Sequence, residues 1–79
     1  MRAKVHVFLK PGVLDVQGKA IEGALHSLGF SDAANVRVGK TIELDVKSDD
    51  PAAAKAEATS MAERLLANTV IESYRVEVG

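Results

Sequence analysis

Apolar and polar residues alternate from Lys4 to Lys10. Val5, Val7 and Leu9 fall on one face, and Lys4, His6, Phe8 and Lys10 on the other. A period of two over this length predicts a half-buried β-strand, ended by Pro11-Gly12. The spacing then becomes helical, with Ile21, Ala24, Leu25 and Leu28 on one face. Asp15 is placed to cap a helix running to about Leu28. Gly29 suits the left-handed position after it, with Phe30 folding back on Leu25. Gly18 and Gly23 lie inside this helix and each costs about 1 kcal/mol relative to alanine. Two readings stand open: close backbone approach to a neighbour, or tolerated defects.

Val36 and Val38 alternate before Gly39-Lys40, and Ile42, Leu44 and Val46 alternate after it, which predicts a hairpin. A plain two-residue loop would send the two apolar sets to opposite faces, so an odd loop or a bulge is expected. Asp50-Pro51 opens a second helix reaching about Ala67. Its apolar stripe is Ala54, Ala58, Met61 and Leu65, and Asn68 is the expected left-handed C-cap. A last strand runs from Val70 to Val78, with Tyr74, Val76 and Val78 on one face and Ile71, Ser73, Arg75 and Glu77 on the other. The order βαββαβ predicts an α+β, two-layer sandwich of the ferredoxin-like or a related kind. Two helices would cover one face of a four-stranded, mostly antiparallel sheet. Phe8 and Ile71 would lie on the open face, which then needs a cover from another subunit.

Composition narrows the class. The chain has 79 residues, no cysteine, a net charge of −1 and three aromatic residues (Phe8, Phe30, Tyr74). That length fits one domain, residues 1–79, which buries only about 60–65% of its unfolded surface. Disulfides and thiolate metal sites are excluded, and two separated histidines make a poor metal site, so association is the expected route to stability. The charge balance argues against nucleic acid, and so few aromatics argue against a base-stacking platform. No apolar run approaches the ~20 residues of a membrane span, and no charged-then-apolar leader opens the sequence; a cytoplasmic protein without membrane contact is the expectation.

Candidate chemistry is thin. Gly12 to Gly18-Lys19-Ala20 resembles a phosphate loop, but five residues separate the glycines and alanine replaces the magnesium-binding hydroxyl. Ala34 to Gly39-Lys40-Thr41 has the spacing but lacks the first glycine and a following helix. His6 and His26 read as surface or interface histidines, and Glu43 and Asp45 as a solvated or ion-paired strand face. Lys10, Arg37 and Lys40 sit near turns, where they suit a phosphate, an acidic partner or plain solvent.

A set of short segments carries a resemblance. They are Lys10-Pro11-Gly12-Val13-Leu14-Asp15, Gln17-Gly18-Lys19-Ala20, Ala24-Leu25 with Leu28-Gly29, Val36-Arg37-Val38-Gly39-Lys40, and Leu65-Leu66-Ala67-Asn68-Thr69-Val70-Ile71-Glu72-Ser73-Tyr74. In this order they resemble the PurS family, the small subunit of bacterial and archaeal phosphoribosylformylglycinamidine synthase. The family usually has proline after the aspartate, where this chain has Val16. The resemblance implies a complex that makes formylglycinamidine ribonucleotide (FGAM) from formylglycinamide ribonucleotide (FGAR), glutamine and ATP, the fourth step of de novo purine synthesis. A glutaminase subunit releases ammonia, and a large synthetase subunit uses ATP and magnesium to activate the amide oxygen. The small subunit is implied to be non-catalytic, to bind no cofactor or metal, to join the other two, to assist ammonia transfer, and to form dimers or tetramers through its sheets.

By position and composition, the loop residues Lys10, Pro11, Gly12 and Asp15 and the turn residues Arg37, Gly39 and Lys40 are the candidate partner contacts. A regulatory module of the ACT type, which shares the element order and binds amino acids at dimer interfaces, is the alternative. A small acyl-phosphate hydrolase is set aside, because Lys10 to Gly18 holds no arginine.

Overall fold

A computed structural model describes residues 1–79. Its elements are strand β1 (Arg2–Leu9), helix α1 (Val16–Ser27), strand β2 (Gly39–Asp45), helix α2 (Pro51–Met61) with a π-helical turn at Ala62–Leu66, and strand β3 (Glu72–Val78). The sheet has three strands in the order β2-β1-β3, antiparallel on both sides of β1. It is α+β as expected, but with three strands where four were predicted. No helix is long and apolar enough to cross a membrane.

The alternation in β1 does what its period requires. Ala3, Val5 and Val7 are buried on the inner face, and Lys4 and Phe8 are exposed on the other. Helix α2 packs over β1 and β3 through Ala54, Ala58 and Ala62, whose small side chains let the helix come close. Asp50 caps α2, accepting from the Ala52 N–H, and Pro51 occupies the first helical turn.

The end of this helix departs from prediction. The Ala67 N–H donates to the Ala62 carbonyl at 2.9 Å, five residues back, so the turn holds one extra residue. That insertion advances the register by one. Leu66 packs against the core, while Leu65, expected on the stripe, is 83% exposed. Nor is Asn68 a left-handed cap. Its side-chain Oδ1 accepts from Val70, its carbonyl accepts from Ile71 and Glu72, and Asn35 (φ 56°) is the non-glycine residue with positive φ. Strand β3 accordingly starts at Glu72 rather than Val70.

The predicted hairpin does not form. Residues 36–38 lie outside any strand, and β2 pairs with β1, placing Ile42 opposite Val5 and Leu44 opposite Ala3. The amides a hairpin would have used are taken instead by carboxylates from the preceding loop and helix. Val36 N–H donates to Glu22 Oε1 (3.3 Å) and Val38 N–H to Asp15 Oδ2 (2.7 Å).

Nor do both helices lie on the sheet. Helix α1 forms as predicted: Asp15 caps it, and Gly29 (φ 98°) and Phe30 close it with bonds to His26 and Leu25 in the Schellman pattern. Yet α1 makes no extended contact with any strand or with α2. Its apolar face is left open, with Ile21 40% and Leu28 74% exposed. The chain is elongated, 47 × 24 × 14 Å, with a radius of gyration of 15.8 Å against about 12 Å for a compact domain of this length.

The outer face of the sheet is also more polar than expected. Arg2 pairs with Asp45 (3.2 Å), Arg75 with Glu77 (3.5 Å) and Lys4 with Glu43 (3.9 Å), and His6 Nδ1 hydrogen-bonds Thr41 (2.9 Å). Such exposed pairs contribute about 0–1 kcal/mol each. Phe8 is the apolar exception among them, and Ile71 lies outside β3.

Val16 occupies the first helical position, behind an Asp15 in extended conformation that tolerates a following proline. The N–H lost would be one the helix leaves unpaired. Val16→Pro is expected to raise unfolding stability by about 0.4–1 kcal/mol, read from urea or thermal melts.

Candidate functional site: the neck between sheet and helix

Two segments connect the sheet to α1 and back: residues 10–15 leading out and residues 36–39 returning. The sequence offered both as separate candidate surfaces, and the structure brings them side by side. Asp15 joins them. One carboxylate oxygen accepts the Gly18 N–H at 2.7 Å, the helix cap, and the other accepts the Val38 N–H at 2.7 Å. The residue is 4% exposed. The Val38 amide first, then the Gly18 amide, hold its carboxyl below the usual carboxylate range, with the Arg37 charge adding to them and burial opposing.

Arg37 ties the same two segments from the other side. Its guanidinium donates to the Val13 carbonyl (3.1 Å) and the Lys10 carbonyl (3.2 Å). The Lys10 carbonyl also accepts from the Val13 N–H, closing the turn that Gly12 permits with φ 89°. Lys10 reaches a third segment: its backbone N–H donates to Ile71 O (2.9 Å) and its ammonium to Thr69 O (2.8 Å). Two glycines are required by contact. A Cβ on Gly18 would lie against the Val36 carbonyl and the Asp15 carboxylate, and one on Gly39 against the Val7 carbonyl. A Cβ on Gly23 would meet nothing, so of the two readings of these helix glycines, close approach holds for Gly18 alone.

The candidate residues therefore divide. Asp15, Arg37 and the Lys10 amine are engaged inside the chain, whereas Pro11, Gly12, Gly39 and Lys40 are exposed. Phe8, Leu9, Pro11, Arg37, Val38 and Gly39 line a shallow groove beside the neck. Sequence reading missed Glu22, which holds the returning segment through the Val36 amide, and Asn35, whose backbone takes φ 56° just before that segment; Asn is enriched at positive φ, and that was the one signal for it.

The neck is poor in chemistry. The Asp15 carboxylate fills the helix N-terminus, taking the amide that a phosphate would need. Thr41 of the other near-miss lies in β2, bonded to His6. His26 Nε2 bonds the Ala33 carbonyl at 2.7 Å, and no cluster of three or more His, Cys, Asp or Glu has metal-binding geometry.

Comparison with known proteins gives this neck a context. The family model for PurS, phosphoribosylformylglycinamidine (FGAM) synthase, matches residues 2–79. The chain belongs to the PurS family. It is 47% identical over 77 residues to the phosphoribosylformylglycinamidine synthase subunit PurS of Bacillus subtilis, covering 98% of this chain and 90% of that one. The crystal structure of Methanocaldococcus jannaschii PurS, one of the subunits of formylglycinamide ribonucleotide amidotransferase in the purine biosynthetic pathway, aligns with TM-score 0.88 at 36% identity, over 99% and 94% of the two chains. A chain of the Thermotoga maritima PurLQS structure aligns with TM-score 0.87 at 29% identity, over 96% and 93%. The segments on which the resemblance rested include both sides of this PurS-family neck, from Lys10 to Asp15 and from Val36 to Lys40.

Because the folded-state pKa of Asp15 lies below its unfolded value, its carboxylate contributes stability above about pH 4, and that contribution disappears as pH falls through the folded value. Asp15→Asn is expected to lower stability at pH 7 and to flatten the acid limb of the stability–pH curve, measured by urea unfolding between pH 2 and 7.

Proposed function

We propose that this chain is the small, non-catalytic subunit of a phosphoribosylformylglycinamidine synthase, the complex that converts FGAR, glutamine and ATP to FGAM. It joins the glutaminase and large synthetase subunits, associates with copies of itself and assists ammonia transfer between the active sites. The carrying observation is the alignment of nearly the whole chain with a component of the PurLQS structure. ATP and magnesium belong to the synthetase, and the assembly works in the cytoplasm.

The neck supports this reading physically. Asp15 and Arg37 spend their hydrogen bonds inside the chain, which fixes the backbone at Pro11-Gly12 and Gly39-Lys40 as a rigid, exposed surface. A pre-ordered surface loses little entropy on docking. Pro11, Gly12, Gly39 and Lys40 are the partner contacts, and Lys10, Asp15 and Arg37 hold them in place.

Reconstitution with the glutaminase and synthetase subunits tests the assignment. Omitting this chain is expected to abolish most glutamine-dependent FGAM formation while leaving ammonia-dependent formation by the synthetase unchanged. Equal glutamine-dependent rates with and without the chain would refute the bridging role.

A further inference from the structure

We propose that the groove beside the neck receives an extended segment of one of the two enzyme subunits, in which an apolar side chain stands next to a carboxylate. The inference rests on the bridging role proposed above and names the chemistry of the contact.

The groove begins where the polar order of the outer sheet face stops. From Arg2 to His6 the outward side chains of β1 are each engaged, Arg2 with Asp45 and Lys4 with Glu43 in ion pairs, and His6 with Thr41. Phe8 comes next on that face. Its direct neighbours across the sheet are Gly39, which has no side chain, and Ser73, which has a short one. Neither covers the ring, and it is 43% exposed. Ile71, 40% exposed, shares this face one step further on, because the Lys10 N–H donates to its carbonyl and continues the ladder between β1 and β3. With Leu9, Pro11 and Val38, Phe8 forms an apolar floor in a groove of about 540 Å³, within the ~300–1,000 Å³ range of ligand pockets.

The rim is positive and unbalanced. The groove's lining holds no carboxylate and one cation, Arg37. The ion pairs of the chain engage Arg2, Lys4, His6 and Arg75, but neither Arg37 nor Lys10, which adjoins the groove between Leu9 and Pro11. Arg37 spends an N–H of each terminal nitrogen on the carbonyls of Val13 and Lys10, and the rest of its fork is free. Asp15 feels this charge, but its two oxygens are spent on the Val38 and Gly18 amides. A guanidinium held in place by neutral carbonyls, at the mouth of an apolar groove, is a preset receptor for a carboxylate.

Floor and rim together select the occupant. A free phosphate would meet the rim and leave the floor wet. A purely apolar segment would fill the floor and cover the Arg37 charge with no counter-charge, which is costly. A chain segment that carries a carboxylate beside an apolar side chain satisfies both. The bonds of the neck fix floor and rim before docking, so little entropy is lost in the contact.

Phe8 is the handle for a test, since changing it leaves the bonds of the neck untouched. Phe8→Glu and Phe8→Lys remove the same apolar contact and put charges of opposite sign in its place. In titrations against the purified glutaminase and synthetase subunits, followed by calorimetry, Phe8→Glu is expected to bind about tenfold more weakly than Phe8→Lys, with the gap shrinking at high salt. A photo-reactive phenylalanine analogue at position 8, which keeps an aromatic ring there, is expected to cross-link in the assembled complex to an apolar stretch of one enzyme subunit flanked by Asp or Glu. Equal binding of the two charge variants beside normal wild-type binding would overturn the groove and leave the bridging role standing. Cross-links confined to another copy of this chain, or to a segment without a carboxylate, would overturn it as well. No binding of the wild-type chain to either enzyme subunit would overturn both.

Discussion

One carboxylate organises the joint on which the chain's shape depends. Asp15 is buried, and each of its oxygens accepts one backbone amide, Gly18 at the start of α1 and Val38 on the returning segment. A carboxylate accepting two amide bonds is a strong local tie, because charge-assisted hydrogen bonds exceed neutral ones and an unpaired buried charge is costly. The same group starts the helix, withdraws Val38 from strand pairing, as Glu22 does Val36, and ties the start of α1 to the returning segment. Gly18 makes this possible, since any side chain there would collide with both the carboxylate and the Val36 backbone.

The remainder of the molecule is small and economical. Alanines 54, 58 and 62 bring α2 onto the valines of β1, and Tyr74 donates its hydroxyl to Glu63 at 2.6 Å, tying β3 to the π-helical turn. The outer sheet face is closed by ion pairs rather than by a second apolar layer. Such a half-built domain is intelligible as a subunit: its surface is ordered by internal bonds, and the apolar residues of α1 are left uncovered. Both histidines are committed to local hydrogen bonds, and Glu43 and Asp45 to ion pairs.

Much of this was legible in the sequence, and the failures have physical causes. The alternation of Val5 and Val7, the Asp15 and Asp50 caps, and the Gly29 terminator are local signals, and each element they predict is present. The hairpin failed because periodicity at Val36 and Val38 describes side chains, whereas what decided the outcome was who bonds their amides; Asp15 and Glu22 lie 23 and 14 residues away. Leu65 and Leu66 exchanged roles through one inserted residue that no spacing rule anticipates. At the site, both halves of the neck were recognised, but not that they meet, nor that Asp15 faces inward. Purine synthesis was not readable from pattern at all; the ordered motifs from Lys10 to Tyr74 carried that.

Asp15 locks the two neck segments into one rigid joint. Amide hydrogen exchange at Val38, followed by NMR, tests it most directly, since this residue lies outside every strand and helix. The Val38 amide is expected to be protected at pH 7 about as well as the β1 amides, and to lose that protection selectively in Asp15→Asn while β1 stays protected. Exchange at Val38 as fast as in an open loop of the wild-type protein would contradict it.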